Sequence, residues 1–198
     1  MQMTKRQATI IRNTKETQIS LKLDLDDQSP ATISSGIGYL DHMLNLFAKH
    51  GRFGLEIKAT GDLEVDSHHT TEDIGIALGQ AFAEALGDKV GIERYGAQFV
   101  PMDETLTRAV VDLSGRSYLV FQVDLTAQRL GTFETEVVED FWQGFSDQLR
   151  ANVHIEVLYG RNTHHKIESM FKAMGRAMRQ AVTINPEIEG VNSTKGTI

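Results

Sequence analysis

The sequence predicts an α+β chain built as an internal duplication, and three observations carry that prediction. Strand-like and helix-like stretches follow one another in the same order twice. The pair His68-His69 with Glu72 behind it returns as His164-His165 with Glu168 behind it. Laying His68 on His164 also superposes Ala77 on Ala173, Gly79 on Gly175, Ala81 on Ala177 and Ala85 on Ala181. Alanine matches between two helix-like segments carry little weight, but the His-His-x-x-Glu core with its trailing glycine carries a good deal. One domain is expected over the 198 residues, with half-repeats at about 1–92 and 93–190 and a tail at 191–198.

Element by element, "RQATIIRN" and "TQISLKLDLD" alternate or run β-branched at strand length around the polar "TKE", which reads as a hairpin. "GYLDHMLNLFAKHG" places Leu40, Met43, Leu44 and Phe47 at helical spacing and stops at Gly51. "FGLEIKATG" is a strand, and 69–86 an Ala/Leu-rich helix ending at Gly87. The second half supplies strands in "AQFVPM", "ETLTRAVVDLSG" and "SYLVFQVDL", a helix in "ETEVVEDFWQGFSDQLRA", a strand in "NVHIEVLYG" and a helix over 164–182. Helices whose inner positions are Ala and Gly approach their neighbours closely, so the two HHxxE helices are expected to pack near each other. Each half would cover its helices with its own antiparallel or mixed strands.

Bulk properties narrow the function classes. Hydrophobic content of 40% with 24% charged residues describes a soluble globular chain. A net charge of −7 argues against nucleic acid as partner, while leaving room for an anionic small substrate held by local Arg and Lys. There are no cysteines, which removes disulfides, thiolate metal sites and thiol nucleophiles together. The N-terminal "MQMTKRQATIIRN" has no signal-peptide core and no membrane-length apolar run occurs, so a cytoplasmic location without membrane contact is expected.

Residues three or four apart share a helix face, so Glu72 can converge with His68 or His69. Adjacent residues are rotated by roughly 100°, so the two histidines of each pair diverge. Such pairs suit two different metal ions, each completed by ligands from elsewhere. Imidazole and carboxylate donors without thiolate point to Mn²⁺, Fe²⁺ or Zn²⁺. A single pair of this kind at a helix start is ordinarily surface or capping chemistry; the matched repetition is what turns the reading toward metal. No HExxH is present, so a zinc-protease geometry is not expected. Arg94, Arg116 and Lys195 sit beside glycines in loops or strand ends, and each alone reads as a solvated charge. "STKG" near the C-terminus could bind phosphate through hydroxyl, ammonium and backbone N–H groups. Asp103 and Glu104, read as neighbours on a strand, would face opposite ways, so at most one is expected to point into a site.

Taken together, "SSGIGYLDHML", "HHTTEDIGIALG", "MDETL", "DLSGRSYL", "GRNTHHKIESMFKA" and "STKG" resemble the imidazoleglycerol-phosphate dehydratases, lyases of histidine biosynthesis. They fall in that order over nearly the whole chain. The resemblance implies a four-helix bundle between two four-stranded sheets. It implies two Mn²⁺ ions per active site, with metal ligands among His42, His68, His69, Glu72, His164, His165 and Glu168. Ligands would be shared between subunits of a homo-oligomer of 24 copies. A phosphorylated imidazole substrate would meet Arg94, Arg116, Ser193 and Lys195, with Lys172 one turn after Glu168. Glu16 would be the proton-transfer residue, with Glu168 and Asp103 as further candidates. Where many members carry "VEHFF", this chain reads "VEDFW"; Asp140 pairs with His42 in the repeat and is expected as a substituted ligand.

The implied reaction removes water from imidazole glycerol phosphate to give imidazole acetol phosphate, through a metal-bound imidazolate and a diazafulvene-like intermediate. A dinuclear metallohydrolase using the same clusters to activate water is the rival enzyme reading. A structural or storage metal protein, with ions only gluing subunits, is the non-enzymatic one.

Overall fold

The computed structural model describes residues 5–198. The first half runs β1 (Gln7–Asn13), β2 (Thr17–Asp24), β3 (Thr32–Ser34), α1 (Gly38–Gly51), β4 (Gly54–Gly61) and α2 (His68–Leu86). The second runs β5 (Tyr95–Met102), β6 (Thr105–Asp112), β7 (Tyr118–Gln122), a short ribbon of β8 (Arg129–Leu130) and β9 (Phe133–Glu134), α3 (Val137–Leu149), β10 (Asn152–Tyr159) and α4 (Thr163–Ala181). The sheets have matching orders, β1-β2-β4-β3 and β5-β6-β10-β7. In each, the edge strand before the first helix, β3 or β7, lies parallel to the strand after it, and the other pairs are antiparallel. A parallel pair needs a crossover, and α1 and α3 supply one each. Four helices and two four-stranded sheets, doubled in topology, make the α+β duplication that the sequence predicts.

Alternation in the central strands decides which face turns inward. Thr17, Ile19, Leu21 and Leu23 of β2 are buried between exposed Gln18 and Lys22. Leu55, Ile57 and Ala59 do the same on β4. α2 covers the first sheet and α4 the second. Between them a cluster of Phe47, Phe82, Trp142, Phe145 and Phe171 fills the middle, with the Trp142 indole N–H 3.1 Å from Met170 Sδ.

The two HHxxE helices do not make their main helix contacts with each other, contrary to the expectation from their small residues. α2 packs on α3 and α4 packs on α1, so each long helix joins the short helix of the other half. A Cβ on Gly79 would stand 2.5 Å from the Phe145 carbonyl oxygen, and one on Gly175 would stand 2.5 Å from that of Phe47. The matched glycines therefore serve two equivalent crossings between the halves.

Smaller differences have local causes. α1 includes Gly51, and Arg52 takes the left-handed capping conformation (φ 55°), donating its N–H to Ala48 and Lys49 carbonyls. β3 and the β8–β9 ribbon escape the sequence reading because two or three residues are too few to show a period. Asp103 and Glu104 are the turn between β5 and β6, with Asp103 at φ 47°. The chain reverses there, so strand alternation does not govern where their side chains go.

Candidate active site

Close packing of α1 on α4 brings the first cluster together. His42 Nε2 lies 3.3 Å from Glu168 Oε2, and His164 Nε2 lies 3.0 Å from the same oxygen. Among the described residues these three form the one His/Asp/Glu group whose donor atoms all lie within 4.8 Å of one another. The other Glu168 oxygen is 2.6 Å from the Lys172 ammonium. Burial alone would raise the Glu168 pKa, but the Lys172 ammonium and the His164 hydrogen bond outweigh it and hold the group below the usual carboxylate range. Glu168 is thus an anion with only 9% of its side chain exposed. Asn162 caps α4 by accepting the His164 and His165 backbone N–H groups at 2.9 and 3.3 Å, which sets the direction in which the pair leaves the helix. Tyr39 packs on the edge of the His164 ring, centroids 5.2 Å apart.

The second half-site is built from α2 and α3. His68 Nε2 is 3.9 Å from Glu72 Oε2, and His68 Nδ1 is 3.9 Å from Asp140 Oδ2. Asp140 reaches this cluster from the short helix α3, as His42 reaches the first cluster from the short helix α1. This cluster is more open, each side chain being more than two-fifths exposed. Both clusters are imidazole and carboxylate sets without sulfur, the donors that suit manganese and similar divalent ions.

His69 and His165 turn away from these clusters. Neighbouring ring planes are 80° apart in the first pair and 84° in the second. His69 Nδ1 meets Asp62 Oδ2 at 3.0 Å, and His165 Nδ1 meets Glu104 Oε2 at 2.8 Å. An ionised carboxylate only accepts, so each Nδ1 carries a hydrogen, and in the neutral ring each Nε2 presents its lone pair. This is the carboxylate–imidazole arrangement that orients a metal-ligating histidine. The Asp62 hydrogen bond raises the His69 pKa. His165, then the Asn162 N–H, hold Glu104 far below the ordinary carboxylate range. Glu16 Oε1 is 3.9 Å from His69 Nε2 with half its side chain exposed. Asp103 Oδ2 is 3.8 Å from His165 Nε2 and 79% exposed. Both residues of the β5–β6 turn therefore face His165, which corrects the expectation that at most one would point into a site.

The cationic candidates assemble elsewhere on the chain. Arg94, Arg116, Ser193 and Lys195 line one cavity of about 340 Å³ with Ser114 and Asn192. Arg94 lies in the left-handed region at φ 70°, grips Asp112 at 2.7 and 3.2 Å, and donates to the Asn192 carbonyl at 2.8 Å. Its guanidinium thus ties the tail to the pocket wall, leaving Arg116 and Lys195 as the lining cations without a carboxylate partner among the described residues. Lys172 does not line this cavity. It is tied to Glu168, because the turn that separates them on α4 puts ammonium and carboxylate side by side.

Sequence reasoning missed Asp62 and understated Glu104. Asp62 lies in "GDLEVDSHH", where Glu64 and Asp66 are equally plausible neighbours for a histidine. Only the bend after β4 selects it. Glu104 carried a weak signal, since "MDETL" stands out as an acidic turn.

Comparison with known proteins, by sequence and by overall fold, points to one family. The family model of imidazoleglycerol-phosphate dehydratase matches residues 35–178. An imidazoleglycerol-phosphate dehydratase of Leuconostoc mesenteroides is 80% identical over 193 residues, covering 98% of this chain and 99% of the relative. That of Limosilactobacillus fermentum is 70% identical over the same length, covering 98% and 100%. Among solved structures, the dehydratase of Staphylococcus aureus superposes with a TM-score of 0.83 at 45% identity, covering 90% of this chain and 99% of that one. That of Pyrococcus furiosus superposes with a TM-score of 0.82 at 36% identity, covering 96% and 100%.

Proposed function

The chain belongs to the imidazoleglycerol-phosphate dehydratase family, and from that premise we propose that it dehydrates imidazole glycerol phosphate to imidazole acetol phosphate in histidine biosynthesis, with manganese as its metal. The observation that carries the metal dependence is the convergence of His42, His164 and Glu168 on one point. His42, His164 and Glu168 would hold one ion, and His68, Glu72 and Asp140 the other. Manganese bound there supplies Lewis-acid polarisation of the imidazole ring.

The chain's own groups do the rest. The hydroxyl leaves from the ring-bearing carbon, and a proton leaves from the next carbon along, which together make up the water lost. The resulting enol becomes the ketone when a proton is added to the ring-bearing carbon and the enol hydroxyl gives up its own. Glu16 is the group assigned to the proton, because its carboxylate is exposed, 3.9 Å from His69 Nε2, and engaged in no hydrogen bond among the described residues. Asp103 is the second choice, near the other turned-away histidine. Glu168 serves better as ligand than as acid, since Lys172 and two histidines already hold it as an anion. Arg116, Lys195 and Ser193, with the tail pinned by Arg94, would bind the phosphate far from the reacting carbons and so position them.

His69 and His165 present Nε2 lone pairs away from their own clusters. A neighbouring copy of this chain can therefore receive them, in a homo-oligomer of 24 copies that shares ligands between subunits. No helix among the described residues is long and apolar enough to cross a membrane.

Incubation with Mn²⁺ and imidazole glycerol phosphate is expected to yield the enolisable ketone and no inorganic phosphate. Phosphate without ketone would favour a metallohydrolase. Neither product would favour a purely structural role for the metal.

A further inference from the structure

The turn that carries Glu16 is braced from behind by a chain of hydrogen bonds that begins on the metal-bearing helix α2. Asp73, next in sequence to Glu72, turns inward and is 6% exposed. One of its carboxylate oxygens receives the Arg12 guanidinium at 2.7 Å, and the other receives the Thr17 hydroxyl at 2.5 Å. Thr17 Oγ1 also lies 3.2 Å from Thr14 Oγ1. A carboxylate gives no proton, so Thr17 donates to Asp73 and Thr14 must donate to Thr17. That leaves the Thr14 oxygen free to accept, and it takes the backbone N–H groups of Glu16 at 3.1 Å and Thr17 at 2.9 Å. The Glu16 carbonyl in turn accepts the Asp62 N–H at 3.1 Å. Each hydroxyl in the relay has one direction in which it can point.

The second half does this differently. In the repeat Asp73 falls on Ser169, whose hydroxyl lies 2.6 Å from Thr107 Oγ1 and does not reach the turn. There the acid itself is pinned, since Glu104 accepts from Arg161 N–H, Asn162 N–H and His165. In the first half the backbone is pinned and the acid is left free. We infer that Asp73, acting through Thr17 and Thr14, is a positioning residue that holds the Glu16 turn so that its carboxylate stays beside His69. The inference rests on the reading of Glu16 as the proton-transfer group.

The test measures kcat, KM and manganese content for Asp73→Asn, Thr17→Val and Thr17→Ser, each alone and combined with Glu16→Gln. Thr17→Val keeps the shape and the Arg12–Asp73 pair, so it carries the test even if Asp73→Asn fails to fold. Asp73→Asn and Thr17→Val are expected to lower kcat by about tenfold, the scale of a small misplacement of a reacting group, with KM and metal content unchanged. Thr17→Ser, which keeps the hydroxyl, should restore kcat. On the Glu16→Gln background neither change should cost anything further, because the group they position is gone. Losses that multiply with that of Glu16→Gln, or single variants with normal kcat, would overturn the relay while leaving Glu16 in place. A Glu16→Gln variant with normal kcat would remove the Glu16 assignment itself, and this inference with it.

Discussion

His42 and Asp140 occupy corresponding places in the two halves of the molecule. His42 stands on α1, 3.3 Å from Glu168 of α4, and Asp140 stands on α3, 3.9 Å from His68 of α2. The chain thus completes one cluster with an imidazole and the other with a carboxylate. On the proposed two-metal reading, Asp140→Ala should weaken retention of one of the two ions by at least about tenfold, and Asp140→His should keep both. Metal analysis after dialysis distinguishes them; full retention by the alanine variant would take Asp140 out of the site.

Glu168 joins the first cluster to Lys172, so its removal should have two separable effects. Glu168→Gln removes a carboxylate proposed to hold metal and strands a part-buried ammonium, and the second effect costs about 3 kcal/mol or more. Adding Lys172→Met should recover much of the lost Tm but none of the lost metal. Recovery of both would make Glu168 a structural ion-pair partner and nothing more.

The tail pocket is expected to act on binding. Lys195→Ala and Arg116→Ala each remove a cation with no carboxylate partner in the pocket. Each should raise KM by roughly ten- to a hundredfold, the range for a charge-assisted hydrogen bond, with a smaller change in kcat. A normal KM in both variants would place phosphate recognition elsewhere.

Two glycines carry the crossings between the halves. Gly79→Ala and Gly175→Ala drive a methyl against a backbone oxygen 2.5 Å away, and are expected to destabilise by about 1–3 kcal/mol in denaturant unfolding despite better helix propensity. Gly38→Ala, at the open start of α1 with nothing within 4 Å, should be neutral or stabilising.

Away from the site, the Arg6 hydrogen bonds at 3.0 and 2.5 Å depress the Asp26 pKa. A depressed carboxylate contributes stability above its unfolded pKa and loses it as pH falls through the folded value. Asp26→Asn should therefore lower Tm at pH 7 but not at pH 2. The effect should stay under about 1 kcal/mol, because the Asp26 side chain is more than half exposed to solvent. An equal loss at both pH values would mean that packing, not charge, is at stake.

Much of this was legible in the chain. The α1 span and the starts and ends of α2 and α4 follow from apolar spacing, to within a residue. The repeat follows from the HHxxE pairs, and the divergence of adjacent histidines from the helical rotation alone. The place of Asp140 on the short helix of the second half, matching that of His42 in the first, was legible through the repeat. The Asp103–Glu104 turn was misread, because strand alternation was carried two residues too far.

By itself the sequence determined the family, the order of the elements, the doubled half-repeat and the two recurring His-His-x-x-Glu clusters, because these depend on local period and on residue type. Only the tertiary structure decided that α2 crosses α3 and α4 crosses α1, that Lys172 belongs to Glu168, that Asp62 and Glu104 hold the turned-away histidines, and that Asp73 reaches back to the Glu16 turn. Those are contacts between residues far apart in the chain. They depend on which faces meet when the two sheets close on the bundle, and no local pattern records that.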